Sequence, residues 1–506
     1  MSYYLTTPIY YVNSTPHIGH AYTTIAADIL ARHHRQRGEE TFFLTGTDEH
    51  GSKVAQAAAR EGLDPKAFVD MMADRWRELP RRVNASNDFF IRTTDDEHKR
   101  FVQDFLERMR ATGDIYEDVY SGLYCTACEA FYTEAELVDG RCPQHGTVPE
   151  WVEEKNEFFR LSAYSDRLLE LYDRDPSFVL PRFRANEARS FIERGLDDIS
   201  VSRAHQTWGI AVPWDESQVI YVWIDALINY RSALSYARPG EDLGPRFWPA
   251  RHLLAKDILK FHCVIWPAML MAAGYEPPRQ LFVHGYLLVD ERKMSKSLGN
   301  VIDPLQLIDV YGVDPVRFYL MRAATFGQDG SVSVDGLHER YERELGNELG
   351  NLLSRTTAMI ARYRGGSLAR APRSRELEAL VRALQADVPE ALDRFDVTGA
   401  LEQAWELVRW LNRYVEESAP WRIAKDESRS RELDGVLYDL ADGLRVLAVC
   451  LSPYLPDTCE RMLVALRQPV DVAWETVRPG LTPATDGIVP AEPLFPRVEA
   501  GSGATA

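Results

Sequence analysis

Short apolar runs and one amphipathic stretch alternate over the first fifty residues. Residues 3–7 and 41–45 are rich in aromatic and β-branched side chains, a composition typical of buried strands. Between them Ala21, Ile25 and Ile29 recur at helical spacing. The pattern predicts a strand, a helix and a second strand, which together form a βαβ unit of a parallel sheet. Ligands bind beyond the carboxyl ends of such strands, so the residues after positions 7 and 45 are site candidates.

The texture changes between residues 116 and 197, where glycine and proline interrupt every longer pattern. This segment is predicted to be an inserted module. Strand-like runs return at residues 218–223 and 280–284, with a helical stretch at 258–273 between them. We therefore expect an α/β domain that the insertion divides into two halves.

Helical periodicity dominates the rest of the chain. Tyr341, Leu345, Leu349 and Leu352 mark an apolar stripe with spacings of three and four, and similar stripes follow. These stripes predict a C-terminal bundle of helices. The small residues of the last segment, 501–506, are expected to be disordered.

These patterns divide the chain into six predicted parts. They are the first half of the α/β domain (1–115), the insertion (116–200), the second half of the α/β domain (201–290), a loop and linker region (291–340), a helical domain (341–490) and a tail (491–506).

Composition narrows the class of protein. In 506 residues the 76 acidic side chains outnumber the 58 basic ones, giving a net charge of −18 that argues against a protein built mainly to coat nucleic acid. The first basic residue is Arg32, and the apolar stretch 261–275 falls short of the ~18 residues that a membrane span needs. We expect a soluble cytoplasmic protein with no membrane association.

Two histidines flank a glycine where the first helix should begin. His17, Gly19 and His20 follow the first strand, at a helix end whose free N–H groups favour anionic oxygen. Imidazoles can donate to phosphate, and glycine lets a flat ring approach the backbone. Taken alone, this motif is equally compatible with a structural role.

A second basic motif lies on a predicted loop. Lys293 and Lys296 stand three residues apart among small hydroxyl residues, followed by Gly299. Two such cations can close on a polyphosphate, although an isolated run of this kind is more often simple surface charge. Because the histidine motif precedes it on the same predicted fold, the phosphate-binding interpretation is favoured.

Three of the six cysteines crowd into the insertion. Cys125 and Cys128 form one C-x-x-C pair, and after thirteen intervening residues Cys142 and His145 form a second pair. Four such ligands in two pairs meet the tetrahedral preference of zinc and leave no position open for water. The sequence predicts one structural Zn²⁺ ion, the alternative being three unrelated thiols and a surface histidine.

Together the histidine motif (residues 17–20) and the lysine motif (residues 293–297) resemble the two signature motifs of class I aminoacyl-tRNA synthetases, in their expected order. Within that class the chain resembles the methionyl-tRNA synthetase family through residues 8–13, 45–51 and 221–226. The resemblance runs from residue 3 to about residue 497. It implies a Rossmann-like parallel sheet split by a zinc-binding insertion and followed by an all-α anticodon-binding bundle.

The resemblance also implies site residues. Asp48 would hold the methionine ammonium group, and a carboxylate is the expected partner for a buried cation. Apolar and aromatic walls suit a polarisable thioether. The expected walls of the methionine pocket are Ile9, Tyr11, Trp223, Leu227, Tyr230, Ile258 and His262. One departure is Ala255, where the family usually has glycine.

The implied reaction has two steps. L-Methionine and ATP give methionyl-adenylate and pyrophosphate, and the 3′-terminal adenosine of tRNA(Met) then accepts the methionyl group. His17, Gly19, His20 and Lys296 would bind ATP, and His17, His20, Lys293 and Lys296 would stabilise charge at the reacting phosphorus. Mg²⁺ should accompany the ATP.

In the helical region the resemblance implies an anticodon site. Asn351 and Arg355 are four residues apart and therefore share one helix face, while Trp421 follows a later helix. Unstacked bases are held well by an aromatic platform with planar donors.

Two alternatives remain at this point. A cysteine-type class I synthetase would place its zinc ligands in the amino-acid pocket, whereas these lie in a separate insertion. A non-tRNA nucleotidyltransferase would not need the helical third of the chain. Since no extra dimerising module follows the bundle, we expect a monomer.

Overall fold

The computed structural model of the protein describes residues 2–125, 130–143, 146–204, 206–289, 292–293, 302–371 and 374–498. The elements of the first part are β1 (Ser2–Thr6), β2 (Tyr10–Tyr11), α1 (Ile18–Gln36), β3 (Glu40–Asp48), α2 (Ser52–Arg60), α3 (Pro65–Arg82), β4 (Phe89–Arg92) and α4 (Asp96–Ala111). The next are β5 (Ile115–Cys125), β6 (Ala130–Tyr132), β7 (Glu150–Phe159), α5 (Ser165–Arg174), β8 (Val179–Leu180), α6 (Arg182–Glu193), β9 (Ile199–Ser200), β10 (Ser202–Arg203), β11 (Ala211–Val212) and β12 (Asp215–Ile220).

The chain continues with α7 (Val222–Tyr236), α8 (Gly244–Phe247), β13 (Arg251–Ala255), α9 (Trp266–Ala272), β14 (Gln280–His284), β15 (Leu287–Val289), β16 (Arg292–Lys293), α10 (Pro304–Tyr311), α11 (Val313–Arg322) and β17 (Gly330–Val332). The helical part comprises α12 (Val334–Arg340), α13 (Asn351–Arg364), α14 (Arg375–Asp393), α15 (Val397–Ser418), α16 (Pro420–Ile423), α17 (Ser430–Leu451) and α18 (Pro456–Ala465). Single turns of 3₁₀-helix span Glu134–Glu136, Leu161–Tyr164, Lys256–Ile258, Glu427–Arg429 and Trp474–Thr476, and π-helix spans Phe261–Ile265 and Tyr341–Gly350.

A parallel sheet forms the centre of the α/β domain. Its strand order is β2-β3-β1-β13-β14-β8, and β4 also pairs with β3. In the register of the central strand, Leu5 lies opposite Phe43 on one side and Arg251 on the other. The parallel sheet predicted from the sequence is therefore confirmed, and strands from both sides of the insertion belong to it.

The strands predicted for the second half of the α/β domain differ from those observed in two ways. The run 218–223 is not the strand that re-enters the sheet. Its first half lies in β12, within an antiparallel sheet of order β10-β12-β11, and α7 already begins at Val222. Aromatic and β-branched residues favour a strand locally, but burial against the pocket and α4 decides for a helix. The strand after the insertion that pairs with β1 is β13, which the sequence pattern did not identify.

The insertion also ends differently from the prediction. A four-stranded sheet of order β6-β5-β7-β9 forms its body. However, β8 lies inside the predicted range 116–200 and is nevertheless the edge strand of the main sheet, paired in parallel with β14. The insertion is therefore tied to the α/β domain part-way along its length.

The C-terminal region is helical, as predicted. Residues 334–364 run as one helical rod through α12, the π-helix and α13. The predicted tail begins too early, because Arg461 donates to the carbonyls of Pro493 and Leu494, and the Tyr341 hydroxyl donates to that of Pro496. Residues 499–506, including the segment expected to be disordered, lie outside the described residues. No helix in the described part of the chain is both long and apolar enough to cross a lipid bilayer.

A buried arginine on α11 links the α/β domain to the helical region. Arg317 on α11 donates to Asp28 on α1 at 2.7 Å, and both side chains are fully buried. The same guanidinium donates to the carbonyls of Val83, Pro453 and Tyr454. Burial opposes ionisation of the Asp28 carboxyl, but the charges of Arg317 and Arg32 outweigh it and hold its pKa below the usual value.

We expect Arg317→Met to lower the free energy of unfolding by about 3–5 kcal/mol, because it leaves a buried carboxylate and several carbonyls without their donor. Thermal denaturation monitored by circular dichroism checks this. Arg82→Met is the matched control: its pair with Asp309 is exposed, and its loss should cost no more than about 1 kcal/mol. Equal melting temperatures for the two variants would contradict the assignment.

Candidate functional site

A cavity of about 410 Å³ opens at the carboxyl edge of the parallel sheet. Its walls come from the segment after β1, the start of α1, the end of β3, α7, and the segments that follow β13 and β14. All eight residues predicted for the methionine pocket line this cavity: Ile9, Tyr11, Asp48, Trp223, Leu227, Tyr230, Ile258 and His262. The phosphate-motif residues His17, Gly19 and His20 line it as well.

The histidine motif caps helix α1. His17 is the N-cap residue, and its Nδ1 accepts from the Gly19 N–H at 3.1 Å. In return, Nδ1 of His20 accepts from the His17 N–H at 3.1 Å. With Nδ1 occupied as an acceptor, the proton of each neutral imidazole resides on Nε2, which is a donor. The structural and functional interpretations of this motif are therefore compatible.

His20 is held in its neutral form. Burial and the adjacent His17 ring, whose centroid is 3.7 Å away, keep the pKa of His20 well below its usual value. Tyr10 and Trp76 contact the His20 ring edge-on at 4.9 and 4.8 Å. Neither contact was predicted from the sequence. Trp76 lies on α3, far from the motif along the chain.

A hydrogen-bonded pair forms the apolar end of the cavity. The Tyr230 hydroxyl lies 2.7 Å from Nε2 of His262, and Nδ1 of His262 donates to the Ile258 carbonyl at 3.0 Å. Burial lowers the pKa of His262 to about 4, so the ring is neutral and accepts from Tyr230. The wall of this end therefore carries no net charge, which suits an uncharged side chain.

Two aromatic rings stack beside the cavity, and Trp223, one of them, lines it. Trp223 and Phe261 lie nearly parallel, with centroids 3.9 Å apart and an interplanar angle of 7°. Phe261 starts the π-helix Phe261–Ile265, whose wider turns are common at functional sites. Nothing in the sequence pattern distinguished this π-helix from an ordinary helix.

The ammonium candidate lies at the end of β3. Asp48 is buried and lines the cavity beside Tyr230, and its negative charge adds to the effect of burial in raising the pKa of that phenol. Lys53, near the start of α2, also lines the cavity and lies 5.6 Å from the Tyr11 ring centroid. Lys53 was not predicted as a site residue, although its position two residues after Gly51, at the start of a helix, was a usable signal.

The lysine motif is described only in part. The backbone of Lys293 pairs with Leu288 in the antiparallel pair β15–β16, next to cavity residue Leu287. Lys296 lies outside the described residues. Where the chain resumes, the Ile302 carbonyl accepts from the Ile18 N–H at 3.2 Å. Both described ends of this segment therefore adjoin the cavity and the histidine motif.

Ala255 fits its position without strain. It ends β13 with φ −83° and ψ 156°, values that any L-residue adopts, and it lines the cavity. The backbone at this point does not require glycine.

Two of the four predicted zinc ligands are described. Cys125 and Cys142 are both buried. Cys125 Sγ lies 3.2 Å from the Thr147 hydroxyl, and the Thr147 carbonyl accepts from the Cys142 N–H at 2.8 Å. Cys128 and His145 lie outside the described residues. Within the described ranges alone, no three acidic, histidine or cysteine side chains cluster as a metal site.

The predicted anticodon residues share one surface of the bundle. Asn351 is exposed at the start of α13, one turn before Arg355. The Arg355 guanidinium lies 5.9 Å from the centre of the Trp421 ring and donates to Glu416 at 2.6 Å. Trp421, on α16, is half-buried.

Comparison with known proteins gives the family. A family profile described as "tRNA synthetases class I (M)" matches residues 3–148 and 144–357, more than half of the chain. A methionine–tRNA ligase of Caldanaerobacter subterraneus subsp. tengcongensis is 45% identical over 98% of this chain and 79% of its own length. One of Bacillus subtilis is 41% identical over 99% of this chain and 78% of its own length.

Solved structures agree with this result. Mycobacterium tuberculosis methionyl-tRNA synthetase in complex with methionyl-adenylate superposes with a TM-score of 0.93 at 40% identity, covering 98% of this chain and all of that one. The free form of that enzyme gives a TM-score of 0.86 at 36% identity, covering 98% of each chain. The predicted class I synthetase fold is thereby confirmed, and the chain belongs to the methionine–tRNA ligases, the methionine-specific family of class I aminoacyl-tRNA synthetases.

Proposed function

We propose that this methionine–tRNA ligase carries out its reaction in the cavity at the carboxyl edge of the sheet, with ATP, L-methionine and tRNA(Met) as substrates. The observation that carries the proposal is that two sets of residues line one cavity. The phosphate-motif residues His17 and His20 lie on the same cavity as Asp48, Trp223 and Tyr230. One bound methionine can thus reach one bound ATP.

The first step joins the two small substrates. A methionine carboxylate oxygen attacks the α-phosphorus of ATP, the bond to the β,γ-phosphates breaks, and methionyl-adenylate and pyrophosphate result. The hydroxyl of the tRNA 3′-terminal adenosine then attacks the methionyl carbonyl, and AMP leaves. Positioning and charge stabilisation suffice for such chemistry, so no covalent enzyme intermediate is needed.

The two histidines contribute as neutral donors in this proposal. Their Nδ1 atoms are committed to the helix cap, so Nε2–H of each is the group that can donate to phosphate oxygen. The positive charge at the phosphates would come from Lys293 and Lys296. Mg²⁺ would arrive with ATP and offset phosphate charge.

The opposite end of the cavity suits methionine. Asp48 would bind the ammonium group, and the neutral Tyr230–His262 pair with Ile9, Tyr11, Trp223, Leu227 and Ile258 would surround the thioether. A cysteine-type enzyme is disfavoured because Cys125 and Cys142 are not among the residues that line the cavity. We further propose a cytoplasmic location and a monomeric state.

Methionine-dependent ATP–pyrophosphate exchange tests the proposal. Of the twenty amino acids, methionine alone should support exchange by the purified wild-type chain. His17→Asn should lower kcat about 10²–10³-fold, because asparagine retains an N-cap acceptor but lacks the Nε2–H donor. An unchanged kcat would leave His17 with a capping role only, and exchange driven by cysteine would overturn the proposal.

We propose that Asn351, Arg355 and Trp421 contact the anticodon of tRNA(Met). Support comes from their common surface and from the proximity of the guanidinium to the indole ring. A half-buried indole is anchored on one side and offers its remaining surface to an unstacked base.

Trp421→Ala should raise KM for tRNA in aminoacylation about tenfold or more, since stacking on an aromatic side chain contributes about 1–3 kcal/mol per base. Trp421→Phe, which retains a flat ring, should stay close to wild type. Neither change should alter methionine-dependent exchange. Equal losses in exchange and aminoacylation would place Trp421 in the fold rather than in tRNA binding.

We propose one structural zinc ion held by Cys125, Cys128, Cys142 and His145. The described residues fit this group: Cys125 and Cys142 are buried cysteines brought together at Thr147, which contacts the Cys125 Sγ through its hydroxyl and the Cys142 N–H through its carbonyl. When bound, the ion would cross-link β5 to the segment before β7.

Metal analysis of the full chain should find about one zinc per molecule. Cys142→Ser should retain less than half of it, whereas Cys450→Ala, a buried thiol of the bundle, should retain all. Removal of the metal should open residues 116–160 to limited proteolysis, since such sites contribute on the order of 10 kcal/mol to folding. Substoichiometric zinc in freshly purified wild type would refute the site.

A further inference from the structure

A buried hydrogen-bonded chain runs behind the methionine end of the cavity. The Asp225 carboxylate on α7 accepts from His50 Nδ1 through one oxygen and from His98 Nε2 through the other, each at 2.7 Å. On its far side, His98 Nδ1 lies 2.7 Å from the Ser232 hydroxyl. All four side chains are buried, and neither the phosphate chemistry nor the methionine contacts use them.

Helix α7 separates this chain from the cavity. Trp223, Leu227 and Tyr230 line the cavity, at spacings of four and three. Asp225 and Ser232 lie two residues later in the same series, and at about 100° per residue this offset puts them on the opposite helix face. The network therefore holds α7 from behind, while the front of the helix meets the ligand.

The strand end that carries Asp48 is held by the same network. His50 is only two residues from Asp48, and its ring packs edge-on against Trp208 at 5.5 Å. Trp208 donates to the Glu49 carbonyl at 2.7 Å, and its own carbonyl accepts from the Gly51 N–H. The backbone on both sides of His50 is thereby fixed.

Glu49, which lies between Asp48 and His50, is held by a separate set of hydrogen bonds. Glu49 is fully buried and accepts two bonds from Arg92, at 2.7 and 2.8 Å, and one each from Thr47 and Thr94. Of the three consecutive residues Asp48, Glu49 and His50, only Asp48 lines the cavity. The flanking pair thus sets where the Asp48 carboxylate lies.

Charge makes the linkage stiff. Burial disfavours the charged form of Asp225, but the His50 and His98 rings outweigh burial and lower its pKa. Within the described ranges, its side-chain hydrogen-bond partners are these two imidazoles alone. A shift of α7 away from β3 or from α4 would therefore leave a buried carboxylate with a lost partner, which is costly.

We propose that Asp225, His50 and His98 are positioning residues for methionine. They set the distance between the ammonium-binding carboxylate of Asp48 and the aromatic wall on α7, without touching the ligand. This inference rests on the proposed function of the cavity. The ATP-binding motif on α1 is supported separately, by Tyr10 and Trp76.

The first experiment measures ATP–pyrophosphate exchange by the full chain with Asp225→Asn. The amide has only one acceptor oxygen, whereas the two imidazoles donate to different oxygens of Asp225, and it carries no charge. We therefore expect α7 to shift relative to Asp48. We expect KM for methionine to rise about tenfold, with KM for ATP and kcat within twofold to threefold of wild type. A displacement on the order of 1 Å can have effects of this size.

Asp442→Asn is the matched control. Asp442 is an equally buried, multiply bonded aspartate in α17, accepting from Arg445, Thr482 and Gly480. It should lower the melting temperature and leave KM for methionine unchanged. If Asp225→Asn behaves in the same way, or raises both KM values equally, its role is structural and the proposal is overturned.

A second pair of variants decides the question if Asp225→Asn does not fold. His50→Asn keeps a donor at the position of Nδ1, whereas His50→Ala removes it. We expect the alanine variant to raise KM for methionine and the asparagine variant to restore it to within threefold of wild type. Two equal variants would overturn the proposal. Wild type without methionine-dependent exchange would instead refute the proposed function.

Discussion

The central strand of the sheet, β1, determines which segments of the chain meet at the cavity. β1 pairs in parallel with β3 on one side and with β13 on the other, although β13 follows the whole insertion in sequence. Parallel pairing brings the carboxyl ends of these strands to one edge. The segments that leave them carry Ile9 and Tyr11, Asp48, and Ile258, so three distant parts of the chain meet in one cavity. Such non-local pairing is slow to form but leaves the site on rigid elements.

The sequence was most informative where chemistry and position coincide. His17 lies where the segment after β1 enters α1, and Asp48 is the last residue of β3; a polar residue at the carboxyl edge is meaningful in a parallel sheet. The residues that support them were not predictable: Trp76 reaches His20, and Asp225 reaches His50, only through contacts between distant segments. Trp223 shows a different limit. Its neighbours favour a strand, yet the cavity wall is a helix, because tertiary burial overrides local preference.

The acidic balance of the chain fits nucleic-acid binding once the arginines are considered individually. Many of them already have acidic partners, as Arg355 has Glu416 and Arg92 has Glu49. Their charge is used within the protein and does not produce a broad positive field. We therefore expect recognition of tRNA to depend on a few local contacts, with a salt sensitivity that follows the number of phosphates neutralised and not the net charge of −18.

The pairing of Arg317 with Asp28 has a consequence for the substrate as well as for the fold. A tRNA molecule has a fixed span between its anticodon and its acceptor end, so the proposed anticodon surface and the cavity would need a matching separation. A buried charge pair with backbone carbonyls around it tolerates little hinge motion between α1 and α11. The junction therefore keeps α1, α11 and the turn between α17 and α18 in one fixed arrangement, on which the proposed path of the RNA across the protein would depend.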